Sequence, residues 1–174
     1  YKEKLRLRAY GTPTDSSPVF LEIKKKYDGV VYKRRVSTDF AQAMRFLTEG
    51  IPPESGDYVA RQVTAEMTHM IRRDGLIPRA AVFYDRRAFH GADDPELRLT
   101  LDGNIRYRLG DLDLRNGTDG DTIPGQPFRI MEIKSASSIP LWLAGTLSEL
   151  GIHPGSFSKY GSVYKQRFQD LCTT

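Results

Sequence analysis

The chain has 174 residues, of which 39% are hydrophobic and 28% are charged, a composition typical of one soluble globular domain. Its formal net charge of +4 is too small for a protein that coats duplex nucleic acid, and the sequence has no apolar run long enough for a spanning helix. A single cysteine, Cys172, excludes an internal disulfide framework and favours a reducing compartment, so we expect a cytoplasmic protein.

Several segments alternate in the two-residue period of a β-strand, and each is bounded by Gly, Pro, Asp or Ser. Asp28-Gly29 predicts a turn between the second and third strands, and Asp102-Gly103-Asn104 predicts a hairpin turn between the fifth and sixth. In chain order the predicted strands are Lys4–Tyr10, Val19–Tyr27, Val30–Val36, Arg79–Phe89, Leu97–Leu101, Ile105–Leu109 and Pro127–Lys134.

Helices are predicted where a capping residue precedes a helical apolar pattern and a glycine follows it. The predicted helices are Phe40–Leu47 after Thr38 or Asp39, Tyr58–Arg73 after Asp57, and Leu141–Leu150 after Ser138-Ile139-Pro140. The last of these is apolar almost all round, so we expect it to be covered, either by packing against the wall of a barrel or by closing one end of it. Residues 110–125 form a polar loop, and the order of elements predicts an α+β fold with an antiparallel sheet.

Cations recur on the polar face of each predicted strand, because side chains two residues apart share a face. Few acidic residues accompany them. The polar faces carry Lys4, Arg6 and Arg8; Glu22, Lys24 and Lys26; Lys33 and Arg35; Tyr84 and Arg86; Arg98, Thr100 and Asp102; Arg106 and Arg108; and Glu132 and Lys134.

Two interpretations of this basic face stay open at this point. One is a sheet whose charged face lies in water, as in many antiparallel sheets. The other is a face neutralised by a polyanion, which the excess of like charges favours. A barrel of about eight strands has room inside for one slender ligand, such as a chain of phosphates.

Other functional classes have little support in the sequence. Single-stranded nucleic acid needs aromatic stacking platforms, but Phe20, Tyr32 and Phe83 fall mostly on the parity opposite the cations, so we expect no nucleic acid partner. The sequence also has no P-loop, dinucleotide fingerprint, zinc-protease motif or serine nucleophile elbow.

Short sequence strings along nearly the whole chain resemble the VTC domain, a family of polyphosphate polymerases. The strings keep the order of the family. They are Glu3–Gly11, Leu21–Lys24, Phe83–Arg86, Leu97–Asp102, Met131–Lys134 and Phe157–Tyr160. The resemblance implies a single VTC-like domain over residues 1–174, without the strand and helix with which the family begins.

The resemblance also implies an antiparallel β-barrel tunnel of the triphosphate tunnel type, with inserted and flanking helices and a basic interior. Its phosphate-binding, catalytic set would be Arg6, Arg8, Lys24, Lys33, Arg98, Arg108, Lys134 and Lys159. Glu132 would hold Mn²⁺ or Mg²⁺. The other polar-face residues, which we take as candidate substrate-binding residues, are Lys4, Lys26, Arg35, Tyr84, Arg86 and Arg106.

The expected partners are ATP and inorganic polyphosphate, with the γ-phosphoryl group of ATP passing to a growing chain. Two alternatives remain open from the sequence. One is hydrolysis of a triphosphate or polyphosphate by a tunnel metalloenzyme, in which water replaces phosphate as the attacking group. The other is a non-catalytic polyphosphate-binding module, which would need the cations but not Glu132.

Overall fold

The structure is a computed structural model that describes residues 1–126 and 128–172, with side chains described as far as residue 166. The chain forms two compact units. The first unit consists of Tyr1–Arg79 and Asp111–Gly117, and the second of Ala80–Gly110 and the chain from Thr118 onward. Two features of the predictions, the start of the last strand at Pro127 and the side chain of Cys172, lie outside the described residues.

The first unit contains an antiparallel sheet in the order β1-β2-β3 and two helices. The predicted elements are all found, with small shifts of their bounds. The strands are β1 (Lys2–Arg8), β2 (Pro18–Tyr27) and β3 (Val30–Asp39), and the helices are α1 (Phe40–Glu49) and α2 (Tyr58–Asp74).

Both helices of the first unit begin at the predicted residues and end one or two residues later than predicted, at the predicted glycine stops. The Asp39 carboxylate accepts a hydrogen bond of 2.7 Å from the backbone N–H of Gln42, which caps α1. Asp57 caps α2 in the same way through Val59 and Ala60. Gly50 and Gly75 end the helices in the left-handed conformation, with φ of 73° and 59°.

The core of the first unit lies on one face of its sheet. Leu21 and Ile23 of β2 are fully or almost fully buried there, and they belong to one apolar cluster with Phe40, Phe46 and Met67 of the helices. Because side chains alternate along a strand, this burial leaves the even-numbered residues of β2 on the opposite face of the sheet.

The second unit has a four-stranded antiparallel sheet in the order β4-β5-β6, with β7 also paired to β5. The two-residue strand β6 and the helix α4 were not predicted. The elements are β4 (Ala81–His90), β5 (Arg98–Arg108), β6 (Asp121–Thr122), β7 (Ile130–Lys134), α3 (Leu141–Glu149) and α4 (Lys159–Cys172).

The hairpin predicted at Asp102-Gly103-Asn104 is wrong, because β5 runs through these residues as one strand. Phe83 of β4 pairs with Arg106, whereas Asp85 pairs with Gly103, so β5 contains one more residue than β4 in this interval. This is a β-bulge, and Asn104 accommodates it with a positive φ of 49°. Asn adopts this conformation more readily than most residues, in a bulge as well as in a turn.

The bulge changes which residues of β5 share a face. Before it, Asp102 lies on the same face as Arg86, its direct partner on β4. After it, Ile105 and Tyr107 occupy that face and are buried in the second apolar cluster. Arg106 and Arg108 therefore lie on the opposite face.

The predicted α+β class with antiparallel sheets is confirmed. The described strands form two separate sheets, and no closed barrel is found among them. Of the apolar side chains of α3, Leu143 is buried, but Leu141 and Trp142 are exposed, so the prediction of a covered helix is only partly met. Within the described residues, no helix combines the length and hydrophobicity needed to cross a membrane.

The core residues behind the polar face of β2 determine the stability of the first unit. We expect Leu21→Ala to lower the free energy of unfolding by about 2–5 kcal/mol, because it removes a fully buried side chain and leaves a cavity. Val31→Ala, at an exposed position of β3, is the control and should cost less than about 0.5 kcal/mol. Urea unfolding of both variants measures the difference, and equal losses would contradict the assignment of the core.

Candidate functional site

One face of the first unit's sheet is strongly basic. The strand register shows that Lys4, Lys24 and Lys33 are direct neighbours across the three strands, as are Arg6, Glu22 and Arg35. Directly paired residues share a face, so the parity prediction is confirmed for this sheet. The cations on this face are Lys2, Lys4, Arg6, Arg8, Lys24, Lys26, Lys33 and Arg35.

Glu22 lies at the centre of this basic face and is 2% exposed. The Nε atom of Arg6 donates a hydrogen bond of 2.9 Å to Oε2 of Glu22, and Nη2 of Arg6 contacts the same oxygen. Arg8 and Lys33 lie 3.5 Å and 4.0 Å from the carboxylate. Burial alone raises the pKa of Glu22, but the hydrogen bond and charge of Arg6, with Arg8 and Lys33, outweigh it and hold the pKa below its ordinary value.

The predicted placement of Phe20 on the parity opposite the cations is wrong. Phe20 is even-numbered like Glu22 and Lys24, and it pairs directly with Arg8 on the basic face. The guanidinium carbon of Arg35 lies 5.0 Å from the centroid of its ring, and Tyr10 packs edge-on against it. The ring therefore supports an arginine of the basic face.

Asp102 is the corresponding carboxylate of the second unit, and it is also 2% exposed. Arg86 donates two hydrogen bonds to it, from Nε to Oδ1 at 2.6 Å and from Nη2 to Oδ2 at 2.8 Å. Lys159, the first residue of α4, donates a third of 2.6 Å from Nζ to Oδ2. Burial alone raises the pKa of Asp102, but the hydrogen bonds from Arg86 and Lys159 outweigh this effect. The pKa therefore lies below its ordinary value, and the carboxylate stays ionised.

The ring of Tyr84 lies beside the same two cations. The guanidinium carbon of Arg86 is 5.3 Å from the ring centroid, and Nζ of Lys159 is 4.4 Å from it. The hydrogen bonds from Arg86 to Asp102, with the negative charge of that carboxylate, raise the pKa of Arg86 above its ordinary value. Asp102 and Tyr84 thus contact both Arg86 and Lys159.

The pairing of β5 with β7 places the remaining predicted residues on this face. Arg98 lies opposite Lys134, and Thr100 lies opposite Glu132. An Oε1 atom of Glu132 is 3.3 Å from Nζ of Lys134, and both side chains are more than half exposed. The second unit therefore brings Tyr84, Arg86, Arg98, Glu132 and Lys134 to one face, where Lys159 joins them.

Arg108 of the predicted phosphate-binding set and Arg106 of the predicted substrate-binding set are the exceptions. The prediction placed them with Arg98, but the bulge at Asn104 turns them to the other face of the sheet. There, Nη2 of Arg106 lies 3.5 Å from Asp85, and the guanidinium of Arg108 stacks 4.9 Å from the ring centroid of Phe83.

The chain was compared with known protein families. A family model described as the VTC domain matches residues 1–168, which is almost the whole chain. The chain belongs to the VTC domain family. No match to the chain was found among curated proteins.

The family resemblance implied that Glu132 holds Mn²⁺ or Mg²⁺. Among the described residues, no group of three or more His, Cys, Asp or Glu side chains is arranged to bind a metal. Asp102 is already engaged by two cations, so Glu132 is the accessible carboxylate of the second unit's basic face. Mg²⁺ usually binds through one or two carboxylates together with phosphate and water, so Glu132 fits a metal that arrives with its phosphate ligand.

Two residues of this VTC domain were not predicted to have a role, namely the buried acids Glu22 and Asp102. A partial signal was present in the sequence, since Glu22 shares its strand face with Lys24 and Lys26. Asp102 was instead interpreted as part of a turn, although it shares its parity with Arg98 and Thr100.

The depressed pKa of Glu22 predicts how stability depends on pH. Its ionised form stabilises the fold above the ordinary glutamate pKa of about 4.3, and this contribution is lost as pH falls through the lower pKa of the folded state. Glu22→Gln should therefore destabilise the protein by about 1–3 kcal/mol at neutral pH, and by progressively less below about pH 4.

Urea unfolding of wild type and Glu22→Gln at a series of pH values measures this difference. Glu49→Gln, at an exposed position at the end of α1, is the control for losing one surface carboxylate. A difference between wild type and Glu22→Gln that stays constant into the acid range would contradict the ion pairing of Glu22.

Proposed function

We propose that this VTC domain is an ATP-dependent polyphosphate polymerase, which transfers the γ-phosphoryl group of ATP to the end of an inorganic polyphosphate chain. The observation that carries the proposal is the basic sheet face in each unit, where cations surround a single buried carboxylate. Membership of the VTC family is consistent with a polyphosphate-related function, and we assign that function to these faces. We also propose a cytoplasmic location, because the single cysteine in the sequence favours a reducing compartment.

The chemistry of phosphoryl transfer agrees with a site that is rich in cations and poor in acid–base groups. The transferred group carries negative charge on its equatorial oxygens, so a protein contributes mainly positioning and positive charge. The accepting terminal phosphate is already largely ionised near neutral pH and needs no general base to activate it. A poised histidine or a pair of carboxylates is therefore unnecessary.

Each unit contributes its own cations to phosphate binding in this proposal. Arginines provide a planar fork for two phosphate oxygens, and lysines provide compact charge. The proposed ligands are Arg6, Arg8, Lys24 and Lys33 in the first unit and Arg86, Arg98, Lys134 and Lys159 in the second, supported by Lys4, Lys26, Arg35 and Tyr84. The barrel tunnel implied by the family resemblance remains part of the proposal.

Glu132 is the proposed protein ligand of Mn²⁺ or Mg²⁺. Such an ion neutralises charge on the phosphates to which it binds. The contribution of the chain is a carboxylate that lies two residues from Lys134 on the same face, beside the residues proposed to bind phosphate. In a site that only bound anions, this carboxylate would repel the ligand, and its presence there is easier to explain by a metal.

Arg98 tests the role of the second unit's basic face. Arg98→Ala should weaken the binding of inorganic polyphosphate by about 1.5–3 kcal/mol, because a charge-assisted contact is lost. Arg98→Lys should recover only part of the affinity, since lysine lacks the planar fork. Arg87→Ala is the matched control, because Arg87 is exposed on the opposite face of the same sheet. Calorimetry that finds all three variants equal to wild type would count against the proposed face.

Wild type and a Glu132 variant together distinguish a polymerase from a hydrolase and from a binding module. Wild type incubated with ATP and Mn²⁺ should produce long polyphosphate chains, resolved by gel electrophoresis. Glu132→Gln keeps the size of the side chain and removes its charge, so we expect it to abolish turnover while metal-free binding of polyphosphate stays the same or tightens. Release of phosphate without chain growth would instead identify a hydrolase, and binding without any turnover would identify a binding module.

A further inference from the structure

The contacts of Asp102 leave its cationic partners able to bind a second anion. Arg86 approaches the carboxylate side-on through Nε and Nη2. A guanidinium has further N–H donors on its other nitrogen, and an ammonium has three donors, of which Lys159 uses one for Asp102. Both cations are thus held in place by a buried acid while part of their hydrogen-bonding capacity remains for a ligand.

The first unit contains a similar arrangement, although Arg6 contacts one oxygen of its carboxylate whereas Arg86 contacts both. Glu22 is buried to the same degree as Asp102, and Arg6 again approaches it side-on through Nε and Nη2. Arg8 and Lys33 lie around it as further cations. Stability alone gives little reason to keep such ion pairs, because apolar residues of similar volume often serve as well in a buried position. The repetition favours a role in function.

We propose that Asp102 is a positioning residue for phosphate, which acts by fixing Arg86 and Lys159 in the orientation that binds the anion. This inference rests on the proposed function of the VTC domain. Asp102 does not touch the phosphate chain. It holds a guanidinium from β4 and an ammonium from the start of α4 at one point, beside the ring of Tyr84.

Charge and positioning predict opposite effects when Asp102 is neutralised. Asp102→Asn removes a negative charge from a basic face, so charge alone predicts that a polyanion binds more tightly. Positioning predicts weaker binding, because Arg86 and Lys159 lose the group that orders them. A screened charge several ångströms from the ligand changes affinity only a few-fold, whereas the loss of an ordered charge-assisted contact costs about tenfold or more, so positioning should dominate.

The test is calorimetric binding of inorganic polyphosphate without ATP or metal. Asp102→Asn should bind about tenfold more weakly than wild type. Asp85→Asn is the matched control, since it removes the same charge from an exposed position on β4 that faces Arg106. It should bind as well as wild type or slightly more tightly. In an Arg86→Ala/Lys159→Ala background, adding Asp102→Asn should not weaken binding any further.

A second variant keeps the inference testable if Asp102→Asn fails to fold, which thermal denaturation will show. Arg86→Lys keeps the net charge but cannot make the side-on contact, so it should also weaken binding. Equal or tighter binding by folded Asp102→Asn, or wild-type binding by Arg86→Lys, overturns the positioning role alone. Absence of polyphosphate binding by wild type overturns the proposed function, and this inference with it.

Discussion

Repulsion between like charges on a shared strand face is the constraint on which the rest of this structure depends. Cations that are direct neighbours across strands, such as Lys4, Lys24 and Lys33, destabilise a sheet unless other charges compensate them. Each unit meets this constraint with a buried carboxylate, where the low dielectric strengthens its attraction to the surrounding cations. One carboxylate compensates only part of the positive charge, so a basic face remains.

The hydrophobic core maintains these faces in register. A slip of one residue in β2 would turn Leu21 and Ile23 to the polar face and carry the neighbouring charges into the core, so burial of the apolar residues fixes the positions of the cations as well. In β5 the bulge at Asn104 introduces such a one-residue shift within a single strand. Asp102 can then face the cations while Ile105 and Tyr107, farther along the strand, are buried on the same side of the sheet.

The sequence was sufficient to predict the first unit and less so the second. Alternation of side chains over β1 to β3 correctly placed the cations on one face, and the caps at Asp39 and Asp57 correctly located the helices. The same approach predicted a hairpin turn at Asn104, where the structure has a bulge. Asp-Gly-Asn has the composition of a hairpin turn, and a bulge uses the same positive φ. Whether β5 turns or continues is decided by its pairing with β4 and β7, which is not visible in the local sequence. Ser158 directly precedes α4, and its hydroxyl accepts a hydrogen bond from the Gly161 N–H, but a single serine is a weak signal for the start of a helix.

The two kinds of cation on these faces have different consequences for the proposed function. Arg6 and Arg86 are held side-on by buried acids, whereas Lys134 is largely exposed on a flexible stem. An ordered arginine loses little conformational entropy when it binds phosphate, and a mobile lysine loses more, so the ordered arginines are where a phosphate group is best fixed in position. Exposed lysines such as Lys134 would add attraction that varies little as a chain moves past them. Under the proposed function, a polymer must be held at one phosphate and advanced along the others, and ordered arginines together with exposed lysines would serve these two needs.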